Sequence, residues 1–171
     1  MSTEYIRKSI EETISYLKAN PEKALNMATA ATAILERGLK VHTKGSKGQV
    51  IISDMPPTVG GEGSAPTQGW FMQAALATCN ATGIAMKAAR VGIELTTLEV
   101  SIDTESDTRG IFGFDASIKA GPLKMRTRVR IGANGVSEKK LHEIVKWNER
   151  HSWVGNAVCR SVPLETKVEI A

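Results

Sequence analysis

Residues 65–90 read APTQGWFMQAALATCNATGIAMKAAR, and no charged side chain occurs between Gly63 and Met86. Pro66 suits the first turn of a helix, where its missing N–H costs nothing, and Gly92 is a natural left-handed stop after Arg90. The stretch therefore reads as one long helix with defined ends. Met72, Leu76, Cys79, Gly83 and Met86 follow helical spacing, and Phe71, Ala75, Thr78, Thr82 and Ala85 form a second stripe of apolar and small residues beside them. A helix apolar nearly all round is expected to be buried. Gln68, Gln73, Asn80 and several Thr interrupt it, so it lacks the run of roughly 20 apolar residues that a membrane span needs. Its small residues admit a closely packed backbone, and the expected neighbour is a second buried helix, with another subunit as one source of it.

The composition outside this helix bounds the function. At 171 residues, 42% hydrophobic and 23% charged, the chain fits one soluble globular domain with a sizeable core. Glu4 and polar neighbours occupy the place where a signal peptide needs an apolar run, so a cytoplasmic location is expected. There, two Cys are read as reduced thiols or redox groups rather than a structural staple. The net charge is +4, but aromatics are only 5% and no basic run interleaves with them, which speaks against nucleic-acid binding. Three His with no CxxC or HxxxH spacing speak against a metal site, and no cofactor is expected.

Upstream, Ile6, Ile10, Ile14 and Leu17 share one face of a helix over residues 3–19 that Asn20-Pro21 ends. Residues 21–37 are Ala-rich and helical by propensity, although Thr29 and Thr32 leave a strand open. Leu39, Val41 and Thr43 alternate with polar residues, GSKG at 45–48 turns the chain and 49–53 returns it, which is a hairpin. A Pro/Gly loop, DMPPTVGGEGS at 54–64, delivers the chain to the long helix.

Downstream, Leu98, Val100 and Ile102 alternate as a half-buried strand, Ile111–Ile118 is expected to return antiparallel, and Leu123–Ile131 makes a third strand carrying Lys124, Arg126, Arg128 and Arg130 on one face. Those cations suit an anionic ligand or, equally, a charged solvent face guarding an edge. Ser137 is a plausible N-cap for a helix through Leu141, Ile144 and Val145. A short helix from about Ser152 to Arg160 and a final strand, Leu164 to Ile170, complete the chain.

The segment DMPPTVGGEGSAPTQGWFMQAALATC, followed by a helix, a meander, a helix and HSWVGNAVCRSVPLE, resembles the OsmC/Ohr family of osmotic induction and organic hydroperoxide resistance proteins. The likeness runs from about Leu39 to the end, with residues 3–20 as an N-terminal extension, and residues 1–171 are taken as one domain. It implies an α+β fold in which antiparallel sheets wrap long central helices in an intertwined homodimer. It also implies a chemistry: in peroxidase members the helix Cys attacks a hydroperoxide as thiolate, becomes a sulfenic acid, is resolved by a second Cys, and is recycled by a dithiol. Only the thiolate is a good nucleophile, so such a site needs groups that favour ionisation.

Cys79 matches the attacking position. The second Cys of the family, which opens a Cys-Pro motif, aligns with Ser152, with Trp153 in place of the Pro. The family's helix-start carboxylate aligns near Gly69 and Trp70 and is absent, with Glu62 the nearest acid upstream. For the activating Arg the early hairpin region offers Arg37 and Lys47. By residue type alone Cys79 is a small buried hydrophobe. The resemblance makes Cys79 the peroxidatic thiol, with Ser152 donating a hydrogen bond beside it, an external thiol resolving, and Cys159 mainly a packed helix residue. His151 is a candidate base or a capping residue. The alternative is a catalytically degenerate dimer that binds a small apolar molecule beside Trp70, Phe71 and Trp153.

Overall fold

The computed structural model describes residues 2–171. The chain divides into two units, one spanning Ser9–Ala74 and the other Ala75–Ala171 together with the residues through Lys8. Helix α1, Thr3–Ala19, and helix α2, Gln68–Arg90, run from one unit into the other.

In Ser9–Ala74 a three-stranded antiparallel sheet has the order β1-β2-β3, with β1 Ala31–Arg37, β2 Lys40–Gly45 and β3 Val50–Ser53. The expected hairpin is β2–β3, registered by Val41 opposite Ser53 and Thr43 opposite Ile51. Residues 31–37 take the strand option: β1 lies along β2, Leu35 opposite Val41, and only Pro21–Ala24 makes a turn of 3-10 helix. Helix propensity differences of a few tenths of a kcal/mol per residue yield to the pairing that an adjacent strand edge provides. The loop after β3 is organised by Asp54, 2% exposed and the only buried residue of this unit. Its Oδ1 accepts from the Met55 amide, and its Oδ2 accepts from the amides of Glu62 and Ser64 and from the Ser64 hydroxyl. The Ser64 amide, against an opposing effect of burial, heads the hydrogen bonds that hold this carboxyl below its ordinary value.

The second unit holds the apolar core. Strands β4, Thr97–Ser106, and β5, Pro122–Gly132, form an antiparallel pair in which Leu98 faces Ile131 and Val100 faces Val129. These side chains pack against Ile84 and Ala88 of α2 and Ile144 of α4, the helix Glu138–His151. One neighbour of α2 is thus a helix of the same chain. Burial of α2 differs from expectation: only Leu76, Asn80, Ile84, Ala88 and Ala89 are buried, and Met86 is 43% exposed. The inward stripe runs at i, i+4, i+8 and i+12 from Leu76, one residue away from the stripe through Cys79, because α4 packs on one side of the helix only. The N-cap at Ser137 is as expected, its hydroxyl accepting from the Lys140 amide, and Gly92 takes φ +72° after α2.

Two expected strands are not found. Residues 111–118 do not return as a strand: Thr108–Phe112 is a short helix, α3, whose cap Asp107 accepts from the Arg109 amide and also pairs with the Arg109 guanidinium at 2.6 Å. A Cβ at Gly110 would lie 2.4 Å from the Lys119 carbonyl oxygen, so the segment folds tightly onto itself and β5 pairs directly with β4. Residues 164–170 alternate as a strand would, yet 161–171 carry no regular structure and Leu164, Val168 and Ile170 are exposed. Alternation specifies a strand only where an edge is at hand to satisfy its backbone groups. The cations of β5 face carboxylates on β4: Arg126 and Arg128 reach Asp103 at 2.6 and 3.0 Å, and Arg130 reaches Glu99 at 3.7 Å. That is a neutralised solvent face rather than an anion site.

Candidate functional site

Helix α4 ends at His151, and α5, Trp153–Cys159, begins immediately after it, with Ser152 serving both. The Ser152 amide donates to the Asn148 carbonyl at 2.7 Å and closes α4. Its hydroxyl accepts from the Gly155 amide at 3.0 Å and caps α5. A serine hydroxyl has one proton, and the bond from Gly155 uses a lone pair, so the proton remains free to be donated. The Cys79 sulfur lies 3.4 Å from that oxygen. The Val154 amide also donates to Sγ, at 3.5 Å. Cys79 is half-buried and Ser152 is 3% exposed.

These contacts set the ionisation of the thiol. Burial pushes the Cys79 thiol up, but the Ser152 hydroxyl and the amides of Val154, Trp153 and Gly155 together outweigh it and hold the thiol below its ordinary value. Hydrogen bonds to the charged form are one of the physical routes to a depressed pKa, and here they come without a neighbouring cation among the causes. Space at the junction is tight, since a Cβ at Gly155 would fall 2.8 Å from Ser152 Oγ.

The other sequence-derived residues are placed differently. Cys159 ends α5, is exposed and unbridged, and stands five residues beyond Val154, about 7.5 Å of helix rise. The two thiols therefore sit toward opposite ends of α5. His151 does not act at the thiol: its ring stacks on Trp147 at 4.0 Å and its Nδ1 is bonded to the Trp147 carbonyl at 2.7 Å. In the Ser9–Ala74 unit, Arg37 pairs with Glu62 at 2.9 Å, Lys47 lies in the β2–β3 turn, and Trp70 meets Phe71 edge to face at 5.5 Å. Trp153 is 82% exposed.

Sequence reasoning missed two features of the site. The amide donors to Cys79 are backbone groups and carry no residue signature beyond Ser152 as a cap. The second feature is a buried amide pair, with Asn148 Nδ2 donating to Asn80 Oδ1 at 3.1 Å. The signal was available in Asn80, a polar residue four positions after Leu76 and four before Ile84, on the stripe that the helix buries. A cavity of about 420 Å³ adjoins this region, bordered by Leu76, Ile84, Val129, Ser152 and Cys159. None of Trp70, Phe71 and Trp153 borders it.

The fold is α+β with a hydrogen-bonded cysteine on its longest helix, and the comparisons give it a family. The family of OsmC-like proteins matches residues 61–167, and the chain belongs to it. No curated protein sequence matches. Among solved structures, the chain is similar to an OsmC-like protein of Mycoplasma pneumoniae, with TM-score 0.67, 14% identity, and 79% of this chain and 89% of that one covered. It is also similar to an OsmC-like protein of unknown function from Vibrio cholerae, with TM-score 0.64, 13% identity, and 77% and 94% covered. An organic hydroperoxide resistance protein of Legionella pneumophila gives TM-score 0.57 and 18% identity, with 78% and 90% covered.

Proposed function

We propose that the protein reduces organic hydroperoxides at Cys79 with an external thiol as reductant. The observation that carries the reading is the set of donors on Sγ, the Ser152 hydroxyl at 3.4 Å and the Val154 amide at 3.5 Å. The thiolate attacks the terminal peroxide oxygen, the O–O bond breaks, the alkoxide takes a proton and leaves as alcohol, and the sulfur becomes a sulfenic acid. Serine has no thiol to resolve that acid, and Cys159 stands at the far end of α5. A small thiol therefore displaces water to form a mixed disulfide, and a second thiol, or the second arm of a dithiol, frees Cys79. The Legionella pneumophila neighbour, an organic hydroperoxide resistance protein, supports the choice of substrate.

The same reading takes the active form as a homodimer. The Ser9–Ala74 unit buries no apolar side chain, while Leu35 and Ile51 on one face of its sheet, and Ile34 and Ile52 on the other, stay 37–63% exposed. Exposed apolar area of that kind is covered in a working protein. The reducing cytoplasm is the compartment that keeps both thiols free; among the described residues no helix is long and apolar enough to cross a membrane.

The test is peptide mass spectrometry of Cys79 and Cys159 after brief exposure of the reduced protein to an organic hydroperoxide with a sulfenic-acid trap. Selective labelling of Cys79 is expected, and its loss of peroxide consumption in Cys79→Ser with it. Two unmodified thiols beside a reacting control peroxidase would overturn the reading. The 420 Å³ cavity then favours the second function, a binder of a small apolar molecule, which native mass spectrometry of protein purified from cells would reveal as a co-purified mass.

A further inference from the structure

Three polar side chains lie among the otherwise apolar buried residues of the Ala75–Ala171 unit: Asn80 at 9% exposure, Asn148 at 3% and Ser152 at 3%. They make two parallel ties between α2 and the α4–α5 junction. One is Cys79 Sγ to Ser152 Oγ, and the other, one residue on along α2 and one turn back along α4, is Asn148 Nδ2 to Asn80 Oδ1. The Asn148 side chain is also seated sterically, since a Cβ on Gly83 would fall 2.0 Å from its Oδ1, which meets no donor. A methyl at position 83 would occupy the place of the Asn148 amide.

An apolar pair would pack this contact as well, but it would tolerate sliding. A buried amide pair is satisfied in a single register, the best attested use of polar groups in an apolar interface. A slip of α4 along α2 would break this bond and leave Asn148 Nδ2 and Asn80 Oδ1 without each other away from water. The register it protects is the one that brings the last residue of the junction, Ser152, to the cysteine beside Asn80.

We propose that Asn148 is a positioning residue for the Cys79 thiol: by bonding to Asn80 across the helix contact, it holds the Ser152 hydroxyl against the sulfur. Asn148 touches no reacting atom and acts through Ser152. This rests on Cys79 being a reactive thiol, but it is read without any peroxide, so it stands or falls separately from the proposed substrate.

The experiment measures the pH dependence of Cys79 alkylation by iodoacetamide in a Cys159→Ser background, for Asn148→Leu, Ser152→Ala and the two combined. Leu keeps the bulk and removes the amide. Asn148→Leu is expected to move the alkylation midpoint upward and slow alkylation at pH 7 about threefold to tenfold, one pKa unit being tenfold in thiolate below the midpoint. In the Ser152→Ala background the same change is expected to add nothing further. His142 and Glu149, which border the cavity next to Ser152, are kept unchanged in every variant. Asn80→Ala, which leaves Asn148 without its acceptor, is the second probe should Asn148→Leu not fold, with a shift of the same direction. An unchanged midpoint in the folded Asn148 and Asn80 variants would show a purely structural role and overturn the proposal, as would an equal shift with and without Ser152. A Cys79 with normal alkylation shifts but no peroxide chemistry would overturn the peroxidase reading and leave the positioning role intact.

Discussion

At position 152 one residue carries three duties: its hydroxyl caps α5 and faces Cys79, and its backbone amide closes α4. Ser152→Ala removes the cap and the donor together. It is expected to cost about 1 kcal/mol of stability, the ordinary worth of an N-cap, measured by denaturant unfolding, and to raise the Cys79 alkylation midpoint. Gly155→Ala leaves the hydroxyl chemically intact yet places a methyl 2.8 Å from Ser152 Oγ, so it too is expected to raise the midpoint. Asp54 supplies a pH dependence. Its carboxyl is held below its ordinary value in the folded chain, first by the Ser64 amide, so its contribution to stability is present above the unfolded value and is lost as pH falls through the folded one. Melting curves of the native chain and Asp54→Asn are expected to differ near neutrality and to converge in acid.

Among the elements, the contact of α2 with α4 decides most. Ile84, Ala88 and Ile144 make its apolar part, and the Asn148 side chain lies over Gly83. Gly83→Ala gains helix propensity but drives a methyl into Asn148, and the net effect expected is a loss of about 1–3 kcal/mol, the usual size of overpacking. Thermal unfolding checks it. This contact also shows where periodicity misled. The stripe through Met72, Leu76, Cys79, Gly83 and Met86 has helical spacing, but a helix of mostly apolar and small residues offers several such stripes, and only the partner helix selects one. The same holds for strands: Leu98–Ile102 and Leu123–Ile131 found each other, whereas Leu164–Ile170, with the same alternation, pairs with no strand.

For the whole molecule, the uneven distribution of the core is the informative fact. All buried apolar side chains belong to the Ala75–Ala171 unit, and the Ser9–Ala74 unit has Asp54 alone. Under the homodimer reading the protein is expected to run at the mass of two chains in light scattering, and Leu35→Glu together with Ile51→Glu, on the outer strands of one sheet face, is expected to shift it toward one. A dimer unaffected by those charges would mean that this face is not the one covered.

The sequence alone determined the long helix with its ends near residues 66 and 92, the hairpin, the cap at Ser137, the two long strands, the family and Cys79 with Ser152 as the residues to watch. These are local matters: caps, turns and period depend on residues a few positions apart, and a motif is read where it stands. The tertiary structure decided which face of α2 is inside, that residues 111–118 and 164–170 are not strands, that His151 is spent on Trp147, and that the donors on the Cys79 sulfur include backbone amides. Each depends on a partner far away in the chain, whose position no local pattern encodes, and the backbone amide is the same group whatever residue bears it.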